Sequence, residues 1–135
     1  MARRYTYWIC TCLLVLWLTP SGVLDAMRVP GVVRTLGHLG YPAYLGPVLG
    51  VAKLLAVAAI LYPRTRILRE WAYAGITIDL LGAFVSHSVV HDSWGTTITP
   101  LIVLALAAGS YTLRPPKYRL QPFLDPVRAG SLSAR

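Results

Sequence analysis

Acidic residues are scarce in this chain, with five Asp and Glu among 135 residues against thirteen Lys and Arg. Charge of either sign accounts for 13% of the residues, where a soluble globular domain carries about a quarter. That shortage excludes an ordinary water-soluble domain. Cysteine is nearly absent too, being confined to Cys10 and Cys12. Two positions apart on a helix, these side chains point to different faces, so neither a local disulfide nor a thioredoxin-type Cys-x-x-Cys is available. The chain also lacks a nucleotide-binding glycine motif and any recognisable haem or iron–sulfur ligand set. No independent catalytic motif is written here, and whether the chain is an enzyme stays open. The net charge of +8 sits in loops and tails, not on one face, so the expected partner is the lipid bilayer and not nucleic acid.

What the chain does contain is apolar sequence: 56% of the residues are hydrophobic. Spanning a bilayer takes about 20 mostly apolar residues. Runs over about residues 7–24, 43–62, 71–90 and 96–113 meet that need. The expected fold is therefore all-α: an integral membrane four-helix bundle, one domain over residues 1–113. Residues 114–135 form a basic tail mixed with Pro, Gly and Ser, expected to be solvated and disordered. A basic start before an apolar run also fits a secretory signal, but the run is long and no Ala-x-Ala site precedes Asp25. It reads as a retained first helix.

The polar break over residues 25–42 carries a short periodic piece opened by Pro30, with Val32, Val33, Leu36 and Leu39 on one face. That pattern predicts a short surface helix in the first outer loop, ended by Gly40-Tyr41-Pro42. Lys and Arg outside the spans fall ten on one side and two on the other, so both termini are expected to be cytoplasmic, in the cell (inner) membrane.

Two apolar runs each hold one charge near the middle: Lys53 and Asp79. Counted from the loop between them, both lie about 12–14 Å deep at a rise of ~1.5 Å per residue. An unpaired charge at that depth costs about 2.5–3.5 kcal/mol on insertion scales, so the two are expected to face each other as an intramembrane polar site. At helical spacing Lys53 shares a face with Gly46 and Gly50, and Asp79 shares one with Gly75, Gly82 and Ser86. These small residues are expected to pack helices together. Asp25, His87 and His91 are expected on an outer polar rim. His87 and His91, four apart, would share a helix face, but with no third ligand nearby no metal site is expected.

Several segments carry a family resemblance. Ser21-Gly22-Val23-Leu24-Asp25, His38-Leu39-Gly40-Tyr41-Pro42-Ala43-Tyr44-Leu45, Leu49-Gly50-Val51-Ala52-Lys53-Leu54-Leu55, Glu70-Trp71-Ala72-Tyr73-Ala74-Gly75 and Asp79-Leu80-Leu81-Gly82-Ala83 with Ser86-His87 resemble the DoxX-like family. The resemblance implies a four-helix bacterial membrane protein within the DoxX/DoxD superfamily, some of whose members serve quinone-linked redox complexes. It implies an accessory subunit of such a complex, with a membrane redox partner or a homo-oligomer and no cofactor beyond a bound quinone. It carries no established catalytic residue. Two other readings stand beside it: proton or small-solute permeation through an oligomer, and a purely structural module. In the structural reading, single changes at Lys53 or Asp79 destabilise the bundle, and replacing both by apolar residues restores it.

Overall fold

The structure, a computed structural model, describes residues 2–62 and 66–115. Nearly all of the expected tail lies outside the described residues. Five helices form among the described residues: α1 (Ala2–Ala26), α2 (Pro30–His38), α3 (Leu45–Leu61), α4 (Arg66–Val89) and α5 (Trp94–Leu113). Among the described residues there is no strand. By length and composition α1, α4 and α5 can cross a membrane; α3 is apolar but has 17 residues. α2 is the short helix expected from the Val32–Leu39 pattern, with Pro30 in its first turn, where a missing N–H costs little.

The helices run past the expected spans at both basic ends. α1 starts at Ala2 rather than at 7, and α4 at Arg66 rather than at 71. Hydropathy locates where a helix enters oil, not where its hydrogen bonding starts. The flanking residues, Ala2 to Thr6 before the first run and Arg66 to Glu70 before the third, are compatible with a helix and extend it.

α1 packs against α3 and α5, α4 packs against the same two helices, and α2 rests on α3. The core is built from one stripe per long helix at helical spacing: Leu14 and Leu18, Val57 and Ile60, Ile76 and Leu80, Val103 and Ala107. Large apolar side chains also face outward, among them Leu16, Trp71, Ile78 and Val89. Such extensive apolar exposure suits lipid contact.

The α1–α3 contact is close because it is built on glycine. Gly22 faces the Gly50 carbonyl and Lys53 Cβ, and Gly46 faces the Asp25 carbonyl. Gly75 and Gly82 differ from the expectation: a methyl group on either would meet nothing within 4 Å. α4 turns Ala72, Tyr73, Ile76 and Leu80 inward, which leaves these two glycines off the packed face.

At the end of the molecule opposite α2, polar groups join the helices. Thr11 Oγ1 and Ser110 Oγ lie 2.6 Å apart, and Tyr73 Oη lies 2.7 Å from Ser110 Oγ. Thr11 also donates to the Tyr7 carbonyl at 2.7 Å. Ser110 is fully buried, so its removal strands the Tyr73 hydroxyl, while Thr11 keeps its bond to the Tyr7 carbonyl. Ser110→Ala is expected to cost about 1–3 kcal/mol, read as a lower thermal unfolding midpoint in detergent. An unchanged midpoint would mean that the node is not holding α1, α4 and α5.

Two arginines expected in solvent are buried here. Arg69, which lies between the second and third apolar runs and belongs to the ten cations expected on the cytoplasmic side, is 3% exposed and donates from Nη2 to the carbonyls of Ile60 (2.7 Å) and Tyr62 (3.2 Å). These are carbonyls at the end of α3, which the helix itself leaves without donors. Arg114, expected to begin the solvated tail, is 6% exposed. It pairs with Glu70 at 2.5 Å and lies 4.1 Å over the Tyr111 ring, and Tyr111 donates to Glu70. Arg3 donates to the Thr112 carbonyl at 3.4 Å, so the start of α1 and the end of α5 lie together.

Candidate functional site

Lys53 sits midway along α3 and Asp79 midway along α4. Packing α3 against α4 brings the Lys53 ammonium within 3.6 Å of Asp79 Oδ2. At that separation the two are an ion pair without a hydrogen bond. The nearer partner is Asp25, whose Oδ2 takes a 2.8 Å hydrogen bond from Lys53 Nζ. Ser21 Oγ accepts a third contact at 3.3 Å. All three charged side chains are largely enclosed, at 17%, 15% and 20% exposure for Lys53, Asp25 and Asp79.

Asp25 was expected on the rim, and the structure instead makes it the main partner of Lys53. The reason is directional. Cα–Cβ bonds tilt toward a helix's N-terminus, so the Lys53 side chain leans toward the α2 end of the bundle. Its extended stem reaches ~6 Å, about four helical rises. That carries the ammonium from the middle of α3 to the last turn of α1. The close Gly22–Gly50 approach places the end of α1 beside the turn that carries Lys53.

The rim itself is a second cluster. His87 Nδ1 donates to Asp92 Oδ2 at 2.6 Å, and His38 Nε2 donates to Asp92 Oδ1 at 2.8 Å. One carboxylate thus ties α2 to the α4–α5 turn. Tyr41 Oη and Ser86 Oγ, 2.8 Å apart, add a second tie. His91 does not join His87. α4 ends at Val89 and His91 takes a left-handed φ of 56°, so the four-residue helical spacing no longer applies. Among the described residues no group of three His, Cys, Asp or Glu is placed to hold a metal ion.

The hydrogen bonds from His87 and His38 hold the Asp92 carboxyl below its ordinary range. A group whose pKa is lowered by folding stabilises the fold above its unfolded value, near ~4 for Asp. That contribution is lost as pH falls through the lowered folded value. Asp92→Asn should therefore flatten the fall of the unfolding midpoint in this acid range. Parallel curves for the two proteins would show that the cluster does not contribute.

The two clusters border one cavity of about 1020 Å³, walled at one end by Asp25, Lys53 and Asp79 and at the other by Tyr41, Ser86 and His87. A second space of about 720 Å³ lies between α3 and α4 and is almost wholly apolar, with Leu55, Ala59, Leu68, Trp71 and Gly75 on its sides. Lys53 and Asp79 border both. Gly75 and Gly82, which pack against no helix, form part of these walls.

Long apolar helices, large side chains turned outward and an enclosed ion cluster together define a small helical membrane protein. The chain belongs to the DoxX-like family, whose model matches residues 9–110. Neither a curated protein nor a solved structure matches it.

Proposed function

We propose that α1, α3, α4 and α5 all cross the bacterial inner membrane as a four-helix bundle, with both termini cytoplasmic. Within it, the Asp25–Lys53–Asp79 cluster receives the polar head of a lipid-soluble ligand. The ligand class that fits is a quinone, and the protein acts as an accessory subunit of a quinone-linked membrane redox complex. The observation that carries this reading is the shared wall. Lys53 and Asp79 border both a partly polar cavity toward α2 and an apolar groove between α3 and α4. A ring head beside the Lys53 ammonium gains a charge-assisted hydrogen bond to its carbonyl oxygen. Its chain lies along Leu55, Ala59 and Trp71, where apolar burial favours it. Electrons would come from a partner's cofactor, since this chain supplies no redox motif of its own.

The test is binding. A short-chain quinone added to the full chain in detergent should quench Trp17 and Trp71, which border the two spaces. Lys53→Met should weaken that binding at least about tenfold, in line with loss of a charged hydrogen bond. Absence of both quenching and co-purified quinone would remove the reading.

A further inference from the structure

The charges around the larger cavity do not balance. Asp25 and Asp79 bring two negative charges and Lys53 one positive charge. The titratable groups that line the cavity with Asp79 are Asp25 on α1, Tyr41 between α2 and α3, Lys53 on α3 and His87 further along α4. None of these adds a fixed positive charge beyond Lys53. The Lys53 ammonium is committed to Asp25 at 2.8 Å, and its distance to Asp79 is 3.6 Å. An excess charge held among apolar helices is costly, so it is neutralised either by a proton or by a bound cation. The cavity beside Asp79 has room for such a cation. Its volume of about 1020 Å³ is at the top of the range for small-molecule sites, roughly 300–1,000 Å³. Leu18, Leu36, Leu49 and Leu80 give it apolar walls, and Trp17 and Tyr41 add aromatic rings to its lining.

We infer that this cavity binds a lipophilic monocation, an apolar-bodied amine or phosphonium, which enters as one proton leaves the Asp25–Lys53–Asp79 cluster. The exchange keeps the site neutral: the protonated site plus the cation gives the occupied site plus one proton in water. The inference rests on the cavity being a ligand site but not on the ligand being a quinone. A neutral quinone head occupies the protonated form and a cation the deprotonated form, so the two ligands exclude each other.

Tetraphenylphosphonium is the probe, added to the full chain in detergent over a series of pH values in which the fold is intact. Its affinity should rise with pH, by up to about tenfold per unit where one proton is displaced. Calorimetry in two buffers of different ionisation enthalpy should find about one proton released per cation. Asp79→Asn, checked for an unchanged unfolding midpoint, should bind at least about tenfold more weakly and without pH dependence. His87→Gln should keep the wild-type slope, which separates Asp79 from the outer cluster. Binding that is equal in wild type and Asp79→Asn is partition into apolar surface and overturns the inference. So does a slope abolished by His87→Gln and kept by Asp79→Asn. If the phosphonium fails to bind while the short-chain quinone still quenches tryptophan, the inference falls and the quinone reading stands. If neither binds, both fall.

Discussion

Gly50→Ala should be among the most damaging single-methyl changes in this protein. A β-carbon at Gly50 would lie 2.5 Å from the Gly22 carbonyl oxygen and 2.8 Å from Ala26 Cα, and it would also meet the Ala26 amide nitrogen. These are backbone atoms of the facing helix and cannot swing away as a side chain does. Relief requires moving α1 off α3, which also moves Asp25 off Lys53. The expected cost is about 3 kcal/mol, the upper part of the range for overpacking. It would be read from thermal or SDS-titrated unfolding in detergent. Gly75→Ala and Gly82→Ala are the matched comparisons. Both glycines face open space, and Ala is the better helix former by up to about 1 kcal/mol, so neither should destabilise. Equal losses at all three positions would show that the damage at Gly50 is not a collision between α1 and α3.

That contrast marks what the sequence could reveal. Four apolar runs, a short amphipathic helix after Pro30 and two mid-helix charges are one-dimensional features, and hydropathy and helical spacing expose them. The partner of a small-residue stripe is a three-dimensional feature. Gly46, Gly50, Gly75 and Gly82 look equivalent in the chain, yet α3 presents its pair to α1 and α4 leaves its pair on cavity walls. The same limit applies to charge counting. Arg69 and Arg114 were counted with the exposed cations because they lie beyond the apolar runs. Each is buried by a partner that hydropathy does not reveal: the Ile60 and Tyr62 carbonyls just across the loop for Arg69, and Glu70, distant in sequence, for Arg114. Asp92 falls in sequence on the same outer side as His38 and His87, but the sequence does not show that one carboxylate joins both. Only the folding of α2 over the bundle brings His38 to its second oxygen.

Lys53 is where the fold and the candidate site depend on one atom, and its replacement should be the most damaging change at any charge in the chain. In Lys53→Met, Asp25 and Asp79 remain among the helices with no counter-charge, which should cost about 3–5 kcal/mol. A two-residue ion pair would be rescued by also replacing Asp79 with Leu. The observed arrangement has three members, so that double variant still leaves Asp25, the closer partner at 2.8 Å, without its ammonium. Rescue should therefore require Lys53→Met with both Asp25→Leu and Asp79→Leu, and the triple variant should recover most of the loss. Asp79→Asn alone should be mild, because Lys53 keeps Asp25 and Ser21. Unfolding midpoints of the four variants in one detergent separate the cases. Full rescue by the double variant would reduce the cluster to the Lys53–Asp79 pair and return Asp25 to the rim. A triple variant that folds but no longer binds either probe would show that the three charges serve the ligand and not the bundle.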